Sequence, residues 1–193
     1  MILDNLKKYH IILGSQSPRR KELLSGIDIE FEVMPIDTDE QLPEDVLPAD
    51  AAGYLAKLKA AAYSPLMEDN TLLITADTIV LLNDQVLGKP IDRADAINIL
   101  QRLSGNTHQV ITGVCITTKE RQYSFQAITE VRFARLSLDV IEYYVDQYKP
   151  YDKAGAYGVQ EWIGFVGVEH IQGSYFNVMG LPIQQLYQVL KVW

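Results

Sequence analysis

Long apolar runs, paired cysteines and an excess of positive charge are all missing from this chain, and each absence removes a class of protein. A membrane-spanning helix needs about 18 uninterrupted apolar residues; the nearest stretch, residues 72–82, is broken by Asp77. No membrane partner is expected. The one cysteine, Cys115, cannot form an internal disulfide and stands in the apolar run Gly113-Val-Cys-Ile116, the pattern of a buried thiol in a reducing compartment. Residues 1–8 contain no basic stretch leading into an apolar block with a small-residue cleavage site, so no secretory signal is expected and the location reads as cytoplasmic. A formal net charge of −8 and a pI near 4.8 deny the chain the broad positive field that nucleic acid or an anionic membrane requires. Any polyanionic ligand therefore has to meet a local cluster of cations. The three histidines, His10, His108 and His170, lack metal-ligand spacing, and no Gly-x-x-x-x-Gly-Lys-Ser/Thr loop occurs.

What is present is a normal globular composition, 48% apolar and 22% charged over 193 residues. That is enough for a real core in one domain spanning residues 1–193. Residues 9–13 read as a strand that Gly14 ends. Ser17 before Pro18 is a helix start, with Leu23 and Leu24 as its buried face and Gly26 as its stop. A second helix starts at Asp50 and ends at Ser64-Pro65, and the acidic, proline-punctuated stretch 37–48 between them reads as loop. Residues 71–76 and 79–82 read as one buried strand interrupted at Asp77, turning at Asn83-Asp84 into residues 85–87. Asp92 and Asp95 resemble a capping pair for a helix to about Leu103. A long hairpin follows, about residues 108–118 and 123–136. Ser137 then caps a helix that Pro150 terminates. Residues 151–160 read as loop, 165–171 as strand, and Pro182 opens a terminal helix. The alternation implies a mixed α/β fold on a central sheet with flanking helices, and the hairpins argue against a purely parallel sheet. Residues near 100–150 are candidates for a second, smaller lobe.

Two places carry chemistry. A loop with the hydroxyls of Ser15 and Ser17 running into a helix, with Arg19 and Arg20 in its first turn, is a sound phosphate site. The helix dipole disfavours arginine there, so the cations point to an anion; the alternative is a surface helix whose arginines pair with Asp28 or Glu22. Asp77 is the second. A lone carboxylate in an apolar strand costs several kcal/mol unless paired or metal-bound, and it could take a proton from water or hold a divalent cation. The alternative is a satisfied carboxylate at a bulge. Lys59 and Lys89 add movable positive charge or are solvated. Glu40, in Asp37-Thr-Asp-Glu40, offers oxygen ligands for Mg²⁺ or Mn²⁺ or belongs to a solvated acidic loop.

Six blocks then carry a resemblance: Ser15-Gln-Ser-Pro-Arg-Arg20, Ala76-Asp-Thr-Ile-Val80, Gly88-Lys-Pro90, Ser104-Gly-Asn-Thr-His108, Tyr151-Asp-Lys-Ala-Gly-Ala-Tyr-Gly-Val-Gln160, and Gly173-Ser-Tyr175 with Gly180-Leu-Pro182. In this order, over about residues 11–183, they resemble the Maf family of nucleoside triphosphate pyrophosphatases, and Thr78 and the block ending in Gln160 resemble its dTTP/UTP branch. The resemblance implies a Maf/ITPase-like fold with room for two lobes around a nucleotide cleft. It implies hydrolysis of dTTP and UTP to the monophosphate and pyrophosphate with a divalent metal, Mg²⁺ or Mn²⁺, in a cytoplasmic protein that is often a homodimer. Carried over by position, Asp77 is the catalytic proton acceptor, and Arg19, Thr78 and Gln160 select the base. Ser15, Arg20, Lys59 and Lys89 surround the phosphates, and Glu40 with Asp77 holds metal, with base and ligand not apportioned between the two acids. Gly14 departs from the family's usual alanine, a change expected to loosen the loop. The alternatives are a nucleotide-sensing regulator of cell division and septum formation, and a 7-methyl-GTP or inosine-type triphosphate pyrophosphatase, which Thr78 and Gln160 disfavour.

Overall fold

The computed structural model describes residues 3–39 and 41–193; the expected metal ligand Glu40 lies outside the described residues. Its strands follow the order β2-β1-β3-β5-β6-β7, with β4 paired to β3. These are β1 (His10–Leu13), β2 (Glu32–Val33), β3 (Thr71–Leu82), β4 (Gln85–Leu87), β5 (Thr107–Thr117), β6 (Gln122–Phe133) and β7 (Val168–Gln172). The sheet is mixed: β1 runs parallel to β2 and β3, whereas β3–β4 and β6–β7 are antiparallel. No helix among the described residues is long and apolar enough to cross a membrane.

The chain forms two compact units. The first takes Met1–Asp77, Thr112–Ala127 and Gly180–Trp193; the second takes Thr78–Ile111 and Ile128–Met179. The second unit is thus not one stretch near 100–150: β3, β5 and β6 each pass from one unit to the other, so contacts rather than sequence order define it.

In the first unit α1 (Pro18–Ser25) begins as its sequence dictates, Pro18 at the first position and the Ser17 hydroxyl accepting from the Arg20 amide at 3.4 Å. Helix α2 (Ala51–Ala62) buries Ala51, Ala52, Leu55, Ala56 and Ala60. Ala56, Ala60 and Tyr63 pack with Ile12, Leu73 and Cys115 into a core that Met34, Ile36 and Met67 border. Burial pushes the Cys115 thiol pKa up, so it is an inert packing group. Helix α7 (Ile183–Lys191) closes this unit, burying Ile183, Leu186 and Leu190.

In the second unit Asn83 and Asp84 both take positive φ, 48° and 62°, which gives the two-residue β3–β4 hairpin the twist of its strands. Helix α3 (Arg93–Leu103) is capped as expected at its first turn, Asp92 accepting from the Asp95 amide at 2.8 Å, but the Asp95 carboxylate accepts from Ile91 rather than from Asp92. Helix α4 (Leu138–Tyr148) does without a side-chain cap from Ser137 and ends on Lys149 in the left-handed region, φ 46°, ahead of Pro150. The expected strand over 165–171 is in part helix: α5 (Trp162–Gly167) leads into β7, and a short α6 (Tyr175–Met179) follows. The core of this unit holds His108, 1% exposed, edge-on to Phe133 and Tyr157 and hydrogen-bonded through Nε2 to the Tyr157 hydroxyl at 2.7 Å.

Burial depresses the His108 pKa from 6.5 to about 4, because the charged imidazolium would be desolvated. The unfolded chain therefore binds the extra proton first. Stability is unaffected above pH 6.5 and is lost as pH falls toward 4, by about 3 kcal/mol in all. Chemical denaturation at pH 7 and at pH 4.5 should show a difference that shrinks in His108→Gln; an unchanged difference in that variant would place the acid sensitivity elsewhere.

Candidate active site

The sequence expects an interruption at Asp77. The structure corrects this: β3 runs unbroken from Thr71 to Leu82, with Asp77 inside it. The carboxylate is tolerated because α2 supplies a cation. Residues 75 and 77 share one face of the strand, and residues 56 and 59 share one face of the helix. The Thr75 hydroxyl donates to the Ala56 carbonyl at 2.7 Å, and one helical turn further on Lys59 Nζ donates to Asp77 Oδ1 at 2.5 Å. Both side chains of the pair are largely buried, 14% exposed for Lys59 and 12% for Asp77. A charge pair withdrawn from water costs desolvation that a surface pair does not. An apolar pair would fill the space without that cost, so two charges kept here point to chemistry.

In the N-terminal cluster the Ser17 amide donates to Ser15 Oγ at 3.2 Å and the Arg20 amide to Ser17 Oγ. Serine hydroxyls satisfy these groups because both sit within two or three residues of them. The cations remain. Arg20 Nε donates to the Gly180 carbonyl at 2.8 Å and its Nη1 to the buried Ser15 hydroxyl at 3.3 Å. Ser15, Arg20 and the Gly180-Leu-Pro182 segment are thereby one assembly, a link that no local sequence pattern announces. Arg19 is half-buried in the same turn. Nor does Gly14 loosen the loop: its amide donates to the Ile74 carbonyl at 2.9 Å, and an added Cβ would lie 2.9 Å from the Thr75 methyl.

In the second unit Thr78 follows Asp77 directly and is half-buried. Lys89 is exposed after β4, and Gln160 lies in a turn of the 151–160 loop. The Gly155 amide donates to the Gly88 carbonyl at 3.1 Å, which ties that loop to the Gly88-Lys-Pro90 segment. The Gln160 side-chain oxygen is buried and has no hydrogen-bond partner among the described residues. A buried acceptor without a partner costs on the order of 1–3 kcal/mol. Sequence reasoning passed over Lys153, which is 7% exposed and bonded to Asp152 at 2.8 Å and Glu161 at 3.1 Å. The only signal was its place inside the glycine-punctuated block.

Comparisons with known proteins show what the chain is similar to. A model of the Maf-like protein family matches residues 10–193. The chain is 56% identical over 191 residues to a dTTP/UTP pyrophosphatase of Parabacteroides distasonis, covering 98% of this chain and 99% of that one. It is 58% identical over 191 residues, with the same coverage, to a dTTP/UTP pyrophosphatase of Phocaeicola vulgatus. Among solved structures it shares the fold of the Staphylococcus aureus Ham1 protein, with a TM-score of 0.57 at 16% identity over 95% of this chain and 98% of that one.

Proposed function

The chain belongs to the Maf family, and we propose that within it this protein is a nucleoside triphosphate pyrophosphatase that converts dTTP and UTP to the monophosphate and pyrophosphate. The full-length likeness to two dTTP/UTP pyrophosphatases supports the substrate class. The observation that carries the chemistry is the buried Asp77–Lys59 pair. Asp77 takes the proton of the water that attacks at the α-phosphate, and Lys59 orients the carboxylate that does so. The displaced pyrophosphate leaves with its negative charge met by Arg20, Arg19, Lys59 and Lys89, held for that purpose in an otherwise acidic chain.

A divalent cation, Mg²⁺ or Mn²⁺, would supply charge neutralisation on the phosphates when bound. Among the described residues no three His, Cys, Asp or Glu side chains group to hold a metal by themselves. By resemblance Asp77 and Glu40 would be its carboxylates, and magnesium commonly takes one or two protein carboxylates beside substrate oxygens. The buried Cys115 thiol fits a cytoplasmic location, and the resemblance alone supports a homodimer of single Maf-like domains.

By resemblance, Thr78, Arg19 and Gln160 are the base-selecting groups. A Gln160 amide turned toward the base would accept from the ring N3–H that uracil and thymine share and that neutral cytosine lacks. With Mg²⁺ or Mn²⁺ present, dTTP and UTP should yield monophosphate and pyrophosphate with kcat/KM about 10- to 100-fold above that for CTP. Product chromatography checks this. Orthophosphate in place of pyrophosphate would refute the bond assignment, and equal turnover of CTP would refute the role of Gln160.

A further inference from the structure

Gln160 occupies a turn whose two ends are fastened to each other through side chains. The Glu161 amide donates to the Gly158 carbonyl at 3.0 Å, so residues 158–161 form one tight reversal with Gln160 at its third position. On one side of it the Gly158 amide donates to the Tyr144 hydroxyl at 3.0 Å. On the other the same hydroxyl donates to Glu161 Oε2 in a short bond. Lys153 Nζ holds the remaining carboxylate oxygen, Oε1, at 3.1 Å. Tyr144 is fully buried on α4, and Lys153 is 7% exposed, so the fastening is made away from solvent. The turn leaves no slack: a Cβ at Gly158 would lie 2.8 Å from the Glu161 carboxylate carbon.

We propose that Tyr144, Lys153 and Glu161 are positioning residues that set the Gln160 amide for base selection, a role that rests on the reading of Gln160 given above. Burying a lysine and a tyrosine hydroxyl against a half-buried glutamate to hold one turn is an expensive way to close a loop. A turn that only had to reverse the chain needs none of them. A turn that must present one amide in one orientation does, because discrimination between bases is lost when the recognising group can swing. The tyrosine bridges both ends of the turn, so its hydroxyl controls the angle at which Gln160 is offered.

The test uses the full-length chain with Tyr144→Phe, Glu161→Gln, Gln160→Ala and the double variant Tyr144→Phe/Gln160→Ala, reading the ratio of kcat/KM for dTTP over CTP beside the melting temperature. Tyr144→Phe should lower the ratio about five- to tenfold, the size of one lost buried hydrogen bond. It should lower it no further in the Gln160→Ala background, because a positioning residue has nothing left to position there. Glu161→Gln, which keeps the shape and one acceptor, should lower the ratio less than Tyr144→Phe. A ratio within twofold of the parent in both Tyr144→Phe and Glu161→Gln, with Gln160→Ala reduced, would overturn the positioning role and leave Gln160 as the base reader. A ratio unchanged in Gln160→Ala would overturn both. Equal falls from Tyr144→Phe with and without Gln160 would show a general structural effect and overturn the proposal as well.

Discussion

Asp77→Asn should keep its fold and lose turnover of dTTP and UTP by about 10³-fold, inside the range of about 10²–10⁴ that a positioned general base contributes. The substitution preserves the shape of the side chain and an oxygen that can still accept from Lys59 Nζ, now 2.5 Å from Asp77 Oδ1. What it removes is the negative charge and the capacity to take a proton. It also removes the carboxylate charge beside the Lys59 ammonium, 14% exposed, so a loss of about 1–3 kcal/mol in stability should accompany the loss of rate. The two losses are separable. Nucleotide binding, followed by the shift in melting temperature on adding dTTP, should survive because the cations around Arg20 and Lys89 are untouched. Retained turnover within tenfold of the parent would remove Asp77 from the chemistry. Loss of binding together with turnover would instead make Asp77 a binding residue, with the proton going elsewhere.

Asp77 was legible in the sequence as a candidate, since a carboxylate inside an apolar run has few inexpensive explanations. How β3 accommodates it was not. The sequence reading broke the strand at Asp77, whereas the ion pair with Lys59, 18 positions away, lets the strand continue. Local signals were read correctly where the chemistry is local: Ser17 and Pro18 start α1, Asn83 and Asp84 turn β3 into β4, and Asp92 caps α3. They misled where two structures share one pattern. Phe165, Val166 and Val168 look like strand residues by their apolar and β-branched character, but Phe165 is 82% exposed and Gly164 and Gly167 allow α5 to coil before β7 begins. In the site, the residues with charge were visible and the residues that hold them were not. Tyr144 reads as one more apolar position on α4, and only the fold sets its hydroxyl between Gly158 and Glu161. Contacts of this kind join segments distant in sequence, so no spacing rule finds them.

Gly113→Ala should destabilise the protein by about 3 kcal/mol or more and lower its melting temperature by about 6–12 °C. Gly113 lies within β5, where the backbone of α2 rests directly on the strand: a Cβ there would sit 2.3 Å from the Ala52 carbonyl oxygen and 2.5 Å from the Gly53 amide nitrogen. The obstacle is backbone on both counts, so no side-chain rotation relieves it. Helix α2 is adapted to this approach, with Ala51, Ala52, Gly53 and Ala56 on its inner turns and the Gly53 amide donating to Gln126 on β6 at 2.9 Å. An added methyl has to lift the helix, and the helix carries Lys59. The contacts from Ala56 to Thr75 and from Lys59 to Asp77 would shift together. A displacement of about 1 Å at reacting groups can cost 10²-fold in rate, so kcat should fall along with stability even at temperatures where the variant remains folded. Gly88→Ala is the control for stability: its Cβ would meet nothing within 4 Å, and its effect should stay within about 0.5 kcal/mol. A Gly113→Ala protein as stable as the Gly88→Ala control would mean that α2 can move away from β5 at little cost. The Asp77–Lys59 geometry would then depend on the ion pair itself rather than on the packing of helix against strand.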